Sequence, residues 1–350
     1  MFENTDNRTE LSSLGEFGLI ELLAKSVQLY NKEVIKGIGD DAAVLDLKTS
    51  ETVITTDMLT EGIHFDLSYT PLRHLGYKAV AINISDLCAM NATPLAITVS
   101  FAISNRFSVE AVEELYAGMM LACERYKVDI VGGDTVSSAG GLTISITAIG
   151  QCKKEKIIYR HGAAEKDLIC VTGDVGAAYL GLQLLKREKQ IFLENPKIQP
   201  DLSGNDYCLE RQLKPEARID IIQKFGEVGI HPSSMIDISD GLASELFHLC
   251  KQSNVGCRVY EEKIPIDVKA AELAEELNLN PITCAFNGGE DYELLFTAPI
   301  SQYELIKSVS DISIIGHITE PITGLYMVDR GNQEIQLRAQ GWSAFDVHNN

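Results

Sequence analysis

The chain has 350 residues, of which 45% are hydrophobic and 23% charged, and its formal net charge is −20. This length predicts two domains, and the acidic charge argues against nucleic acid as the main partner. No apolar run reaches the roughly 18 residues that a membrane span needs, and the first ten residues lack a signal-peptide pattern, so we expect a cytoplasmic protein.

Strand and helix patterns alternate along the first half of the chain. Residues 13–16, S-L-G-E, form a capping box that predicts a helix to about residue 30. Thr70-Pro71 and Ser108 predict the starts of two further helices, which continue to about residues 90 and 126. Apolar runs predict strands at 33–38, 42–47, 52–57, 95–103, 128–131 and 142–150.

The polar stretch at 152–156 predicts a border between two domains, residues 1–151 and 152–350. Residues 188–214 have no clear periodicity, which predicts an irregular surface excursion. Strands are predicted at 167–172, 234–239, 256–260, 292–298 and 312–318. Helices are predicted at 173–187, 215–228, 240–254, 267–277 and 301–309. Both halves therefore have an α/β pattern.

Residues 37–42, G-I-G-D-D-A, place Asp40 and Asp41 side by side before an apolar run. A surface turn, a dinucleotide-binding loop and a metal site are the three interpretations. The dinucleotide fingerprint requires a helix after its glycines, whereas A-A-V-L-D-L predicts a strand, and two carboxylates would repel a pyrophosphate. The surface turn and the metal site both remain open.

Acidic residues recur where apolar runs end, at a position where open α/β sheets bind ligands. Each acid alone is typical of a cap or a turn. Together they suggest a site for Mg²⁺, which prefers carboxylate oxygens and can bridge phosphates. A Gly-Gly pair, which lets backbone N–H groups approach a ligand, precedes two of the acidic sites. The acids concerned are Asp57, Asp86, Asp134, Asp237, Asp240, Glu290 and Asp291.

Three other residues have both a structural and a functional interpretation. His64 follows Asp57 closely and could reach the same pocket, although a lone histidine is more often structural. Arg160 is either a phosphate clamp or a surface arginine, and Trp342 either stacks on a ring or packs a tail onto the body. The eight dispersed cysteines include no C-x-x-C pair, which argues against a zinc ribbon, and no G-x-S-x-G motif supports a covalent hydrolase.

Six ordered motifs resemble the thiamine-monophosphate kinase family of the aminoimidazole-ribonucleotide-synthetase-like superfamily. The resemblance extends from about residue 13 to Phe345, nearly the whole chain. The motifs are G-I-G-D-D-A, T-T-D-M-L-T-E-G-I-H-F, Y-K-A-V-A-I-N-I-S-D-L-C-A-M-N-A, G-G-D-T, D-I-S-D-G-L and G-G-E-D-Y-E-L.

The resemblance implies a two-domain α/β fold. Residues 1–151 would bind ATP and Mg²⁺ and dimerise through their sheet, and residues 152–350 would complete the active site. The implied reaction is direct, in-line transfer of a phosphoryl group from ATP to thiamine monophosphate, with several Mg²⁺ ions and no general base. Other enzymes of the superfamily, which make aminoimidazole ribonucleotide or selenophosphate, and a hydrogenase-maturation accessory protein are the alternatives.

The resemblance also implies residue roles. The implied Mg²⁺ ligands are Asp41, Thr55, Thr56, Asp57, Asp86, Asp134, Asp237 and Asp240. The implied ATP contacts are Gly133, Asp134, Arg160 and Ser239. The implied contacts with thiamine monophosphate are His64, Glu290 and Trp342.

Overall fold

The computed structural model of the protein describes Thr9, Leu19 and residues 22–36, 44–47 and 50–338. Several sequence predictions fall outside this part of the chain and stay predictions. They concern the capping box at 13–16, the metal ligand Asp41 with its neighbour Asp40, and the substrate contact of Trp342.

The chain divides into two compact units, which consist of residues 1–87 with 91–157 and of residues 88–90 with 158–350. The division falls after Ile157, shortly beyond a strand that ends at Cys152. The functions assigned to the predicted domains, 1–151 and 152–350, stay a prediction. Among the described residues, no helix has both the length and the apolar character needed to cross a bilayer.

The first unit is built on a four-stranded sheet and two long helices. Its elements are β1 (Val34–Lys36), β2 (Val44–Leu45), β3 (Glu51–Thr60), α1 (Leu72–Ala89), β4 (Thr93–Ile103), α2 (Val109–Tyr126), β5 (Asp129–Ser137) and β6 (Leu142–Cys152). The sheet order is β3-β6-β4-β5, in which β4 and β5 are parallel and the other two pairs antiparallel. Ser108 caps α2, as predicted, by accepting a hydrogen bond from the N–H of Ala111 at 3.3 Å.

Two glycines allow α1 and α2 to approach closely. A Cβ atom on Gly76 of α1 would lie 1.9 Å from the carbonyl oxygen of Leu115, and one on Gly118 of α2 would lie 1.8 Å from that of Arg73. Any side chain at either position would therefore push the helices apart.

The two faces of the four-stranded sheet differ in burial. Side chains alternate along β6, and Ile144 and Ile146 on one face are each 1% exposed. On the opposite face, Ile54 and Met58 of β3 are 64% and 58% exposed. This alternation follows from the pleat, which directs successive side chains to opposite faces.

The second unit is built on a seven-stranded sheet with helices on both faces. Its strands are β7 (Leu168–Thr172), β8 (Ser234–Asp237), β9 (Gly256–Tyr260), β10 (Leu294–Ala298), β11 (Ile312–Thr319), β12 (Leu325–Val328) and β13 (Glu334–Gln336). Its helices are α3 (Ala177–Glu194), α4 (Asp206–Leu213), α5 (Ile219–Val228), α6 (Leu242–Ser253), α7 (Val268–Glu276), α8 (Pro281–Asn287) and α9 (Tyr303–Lys307).

The order of this sheet is β13-β12-β9-β11-β7-β10-β8, and only the β12–β9 pair among these described strands is parallel. Leu295 of β10 packs in a core with Leu246 of α6. The next residue, Phe296, meets Phe225 of α5 with ring centroids 5.0 Å apart. Because neighbouring residues of a strand project to opposite faces, both faces of the sheet are covered.

The structure corrects the prediction for residues 188–214. Helix α3 continues to Glu194, and residues 206–213 form the separate helix α4. Cys208 of α4 is buried with Leu180 and Leu184 of α3, so this segment belongs to the core of the second unit. The periodicity was hidden because mostly charged and polar side chains occupy the other positions of α4.

Candidate active site

Thr55, Asp57 and Asp86 come together where β3 meets α1. Thr55 Oγ1 donates a hydrogen bond to Asp86 Oδ2 at 2.5 Å. The backbone N–H of Asp57 donates to Asn83 Oδ1 at 3.1 Å, and Asn83 Nδ2 donates to the carbonyl of Ala79 at 3.0 Å. Alternate residues of β3 share a face, and residues three apart on α1 are neighbours, so strand and helix present two carboxylates and a hydroxyl together.

Burial, followed by the negative charge of Asp86, raises the pKa of Asp57 to about 6. Two carboxylates in this environment ionise more readily when a cation offsets their repulsion. The donors are all oxygen atoms, which suits a hard cation, and Mg²⁺ is usually held by one or two carboxylates together with phosphates and water. These residues therefore fit Mg²⁺, although the described part of the chain contains no group of three or more His, Cys, Asp or Glu placed to hold a metal.

The strand register places Thr56 and Asp134 on the face of the sheet opposite to the one that carries Asp57. Asp57 pairs with Ile146, whose side chain lies on the buried face. Thr56, the adjacent residue, projects to the opposite face, where Thr147 donates to its hydroxyl at 3.1 Å. Asp134 pairs with the exposed Ser100 and also projects to that opposite face. Within this unit, only Thr55, Asp57 and Asp86 of the predicted, described ligands come together.

Gly133 has a structural reason to be glycine. A Cβ atom at this position would lie 1.9 Å from the carbonyl oxygen of Val99 on the paired strand β4. The close approach of β4 and β5 thus explains this glycine independently of any contact with ATP.

The acids do not all lie at strand ends, contrary to the sequence argument. Asp57 and Asp134 lie inside β3 and β5, which continue to Thr60 and Ser137. Asp86 lies in α1, within the helix that the sequence predicted to about residue 90. Asp237 is the last residue of β8, as predicted. Most strand pairs in both sheets are antiparallel, so the carboxyl ends of neighbouring strands do not meet at one edge and do not bring the acids together there.

His64 lies in a tight loop that follows β3. Its Nδ1 atom accepts a hydrogen bond from the N–H of Thr60 at 3.0 Å, and its own N–H donates to the carbonyl of Thr60 at 2.9 Å. Gly62 in this loop has a φ of 83°, in the left-handed region that favours glycine. With Nδ1 as the acceptor, a neutral ring carries its proton on Nε2.

In the second unit, the D-I-S-D-G and G-G-E-D-Y motifs form two loops that bind each other. The N–H of Glu290 donates to the carbonyl of Ser239 at 2.7 Å, and the N–H of Tyr292 donates to that of Ile238 at 2.8 Å. A Cβ atom on Gly289 would lie 2.4 Å from the carbonyl oxygen of Ser239. The predicted residues Ser239 and Glu290 therefore occupy adjacent loops.

Arg160, Asp240 and Glu245 form an electrostatic group in the same unit. Glu245 Oε1 accepts a hydrogen bond from the N–H of Asp240 at 3.0 Å. Burial raises the pKa of Asp240, which the positive charges of His248 and Arg160 lower in part. Burial also raises the pKa of Glu245 to about 7. Arg160 is exposed, and its role as a phosphate clamp stays a prediction.

The sequence reasoning missed a buried ionic network beneath these loops. Glu293, which is 2% exposed, binds Arg211 at 3.0 Å and Arg218 at 2.6 Å. Thr172 Oγ1 donates to the same carboxylate at 2.6 Å. Glu293, the third acid of G-G-E-D-Y-E, was a signal that pointed to this network, but Arg211 lies in the segment predicted to be irregular.

Comparisons with known proteins agree with this architecture. Residues 39–152 match the family described as AIR synthase related protein, N-terminal domain. Thiamine-monophosphate kinase from Aquifex aeolicus is 33% identical over 336 residues, which are 96% of this chain and 99% of that protein. The solved structure of AaThiL complexed with AMPPCP and TMP has 33% identity and a TM-score of 0.73, and the match covers 97% of this chain and 100% of that one.

Hydrogenase maturation protein HypE in complex with ATP has a TM-score of 0.72, with coverage of 92% of this chain and 94% of that one. At 21% identity this likeness shows a shared fold and no more. The predicted aminoimidazole-ribonucleotide-synthetase-like fold is confirmed, and so is the family that the six motifs resemble. The chain belongs to the thiamine-monophosphate kinase family.

Proposed function

We propose that this protein transfers the γ-phosphoryl group of ATP to thiamine monophosphate and forms thiamine diphosphate. The observation that carries the proposal is the 33% identity with the Aquifex aeolicus thiamine-monophosphate kinase over 96% of this chain. The similarity to AaThiL complexed with AMPPCP and TMP supports ATP and thiamine monophosphate as the two substrates. Since ATP is a cytoplasmic metabolite, the cytoplasm is the proposed location.

The proposed transfer is direct and in line. A phosphate monoester has a second pKa near 6, so the acceptor oxygen is largely ionised at pH 7 and requires no general base. The barrier is then mainly the repulsion between two phosphate groups, and catalysis depends on positioning and electrostatics. Trapping of a phosphorylated side chain during turnover would contradict direct transfer.

Mg²⁺ is the proposed cofactor, with several ions per active site. Thr55, Asp57 and Asp86 would hold one ion in the first unit, since they present oxygen donors together. When bound, Mg²⁺ would offset the negative charge of the phosphate oxygens. The family resemblance supports a wider set of ligands, which also includes Asp41, Thr56, Asp134, Asp237 and Asp240.

The substrate contacts are proposed from the same resemblance. Gly133, Asp134, Arg160 and Ser239 would contact ATP. His64, Glu290 and Trp342 would contact thiamine monophosphate. Of the two ring nitrogens of His64, Nδ1 accepts a hydrogen bond from the N–H of Thr60.

A homodimer is proposed as the functional assembly. The face of the first unit's sheet opposite to its buried side carries Ile54, Met58 and Val136, which are 64%, 58% and 50% exposed. Large apolar side chains grouped on one face are typical of an interaction surface. A monomeric mass measured by light scattering at micromolar concentration would contradict this assembly.

The decisive experiment measures ADP release with ATP, Mg²⁺ and a panel of acceptors. We expect turnover with thiamine monophosphate and formation of thiamine diphosphate. The panel also contains formylglycinamidine ribonucleotide and selenide, the acceptors expected for the alternative enzymes of the superfamily. Turnover only with one of these would overturn the proposed function.

A further inference from the structure

Glu245 of α6 holds the backbone of the D-I-S-D-G loop, which precedes this helix. The residue is buried, with 2% of its surface exposed. Its Oε1 atom accepts a hydrogen bond from the N–H of Asp240 at 3.0 Å. Burial raises the pKa of Glu245 to about 7, and hydrogen bonds from the backbone N–H groups of Asp240 and Ser239 act in the opposite direction. One carboxylate therefore binds two consecutive N–H groups of the loop.

The geometry of α6 explains how Glu245 reaches this loop. The helix begins at Leu242, after the capping residue Gly241, and Glu245 lies in its first turns. Helical side chains are tilted toward the N-terminus of their helix, and the helix dipole favours a carboxylate there. A capping box uses a glutamate in the same way, to bind the N–H of the capping residue. Glu245 reaches further back and binds N–H groups that precede the cap.

The carbonyl groups of the D-I-S-D-G loop are bound by the neighbouring loop, which carries Glu290. The N–H of Glu290 donates to the carbonyl of Ser239 at 2.7 Å. The two loops also pack closely, since a Cβ atom on Gly241 would lie 2.5 Å from the carbonyl oxygen of Gly288. The backbone of the D-I-S-D-G loop is thus held at its carbonyl groups by the neighbouring loop and at its N–H groups by Glu245.

We infer that Glu245 is a positioning residue, which fixes the backbone of Ser239 and Asp240 for the binding of ATP with Mg²⁺. This inference rests on the proposed function, in which Ser239 contacts ATP and Asp240 binds Mg²⁺. It adds a residue that acts on the nucleotide through the loop, by accepting hydrogen bonds from the backbone. A displacement of about 1 Å in a site can cost about 100-fold in rate, so a loop held only at its carbonyl groups would bind the nucleotide less well.

The test begins with Glu245→Met in the full-length protein, which nearly keeps the length of the side chain and removes the acceptor. Titration calorimetry measures the Kd of AMPPCP, a non-hydrolysable ATP analogue, in the presence of Mg²⁺, and steady-state kinetics gives the two KM values. We expect the Kd of AMPPCP and the KM for ATP to rise about 10-fold or more, the size of losing hydrogen bonds to a charged group. The KM for thiamine monophosphate should rise less. An unchanged Kd, or an equal rise in both KM values, would overturn the inference.

Two further variants separate the position of the acceptor from its charge. Glu245→Gln keeps an acceptor oxygen at the same reach and loses the charge, so the Kd of AMPPCP should stay within about 3-fold of that of the unmodified protein. Glu245→Asp keeps the charge and withdraws the carboxylate by one methylene group, so the Kd should rise. If Glu245→Met does not fold, this pair carries the test. Weak binding in Glu245→Gln together with normal binding in Glu245→Asp would overturn the inference.

Glu188→Met is the matched control. Glu188 of α3 is also a buried glutamate, at 5% exposed, and its Oε2 atom accepts a hydrogen bond from the N–H of Asp201 at 2.9 Å. The turn of Asp201 carries none of the proposed ligand contacts. We expect Glu188→Met to lower the midpoint of thermal unfolding and to leave the Kd of AMPPCP unchanged. Equal rises of this Kd in Glu188→Met and Glu245→Met would overturn the inference, because the effect would then be a general loss of stability.

The failure of this inference is distinguishable from failure of the proposed function. If the unmodified protein shows no turnover with thiamine monophosphate, the proposed function is wrong. If it turns over normally and Glu245→Met binds AMPPCP equally well, the proposed function stands and only the inference falls. Thermal unfolding of each variant, measured without nucleotide, verifies that the compared proteins are folded.

Discussion

The carboxylates of the two units are buried in different electrostatic environments. In the first unit, burial and the negative charge of Asp86 raise the pKa of Asp57. In the second unit, burial also raises the pKa of Glu293, but Arg211 and Arg218 act in the opposite direction. Two arginines of the protein compensate the negative charge of Glu293. The charge that acts on Asp57 is another carboxylate, Asp86, so a bound cation would relieve their repulsion. The first group is the proposed site for Mg²⁺, whereas the second stabilises the fold.

The largest loss of stability should follow from breaking the buried network of Glu293, Arg211 and Arg218. Arg211→Ala leaves the buried Glu293 with one arginine, and removing a partner of a buried pair costs about 3 kcal/mol or more. We expect the midpoint of thermal unfolding to fall by several degrees. The control is Arg73→Ala, whose partner Glu114 is as exposed as Arg73 itself, at 55% and 53%, and which should cost less than about 1 kcal/mol. An equal decrease of the unfolding midpoint in Arg211→Ala and Arg73→Ala would mean that the buried ion pairs stabilise the fold no more than an exposed one.

Asp57→Asn tests whether the carboxylates of the first unit bind Mg²⁺. Removal of a carboxylate that binds Mg²⁺ should lower kcat by about 100-fold or more. The unfolding midpoint should stay the same or rise, because an uncompensated buried charge disappears. Asp201→Asn, in an exposed turn of the second unit, is the control and should retain full activity. Normal turnover in Asp57→Asn would contradict the metal-binding assignment.

Gly133→Ala separates packing from binding in the first unit. The added Cβ atom would collide with the carbonyl of Val99, so we expect a loss of about 1–3 kcal/mol in the free energy of unfolding. Gly140→Ala is the matched control, since nothing lies within 4 Å of its Cβ position. A raised KM for ATP without any loss of stability would instead favour a direct contact of Gly133 with the nucleotide.

The last prediction concerns the pH dependence of stability. Burial, partly opposed by Arg211, raises the pKa of Asp291 to about 7. A raised pKa in the folded state means that the stabilising contribution of the proton is present below about pH 4 and is lost as the pH rises through 7. We expect the unfolding midpoint of the unmodified protein, relative to that of Asp291→Asn, to decrease as the pH rises from about 4 to about 7. A constant difference would show that Asp291 is fully compensated.

Periodicity predicted most long elements of this fold, and the order of six motifs predicted the family. The prediction failed at α4, because Arg211 and Gln212 have polar side chains that a sequence pattern assigns to solvent. Their burial depends on partners some 80 residues away, Glu290 and Asp291, and no local pattern records such a pairing. Short or poorly patterned elements, such as α8 and β13, were missed for a related reason, since tertiary contacts decide their conformation.

The sequence predicted the residue types of a candidate site, and the structure gives their arrangement. Thr55, Asp57 and Asp86, three of the predicted ligands, lie together. Thr56 and Asp134 project to the face opposite to Asp57, as the strand register shows. This register depends on pairing between strands that are far apart in the sequence, such as β3 and β6. Motif spacing gives the residue types of a site, but the face to which each side chain projects requires the register.

The close contact of α1 and α2 at Gly76 and Gly118 should limit which substitutions these two positions tolerate. Gly76 lies ten residues before Asp86 on the same rigid helix, a distance of about 15 Å along its axis. A side chain at Gly76 or Gly118 would tilt that helix, and the displacement would grow along it until it reached the carboxylate. In a saturation library selected for activity, these two positions should tolerate as few substitutions as Asp86 itself, although neither would touch a substrate.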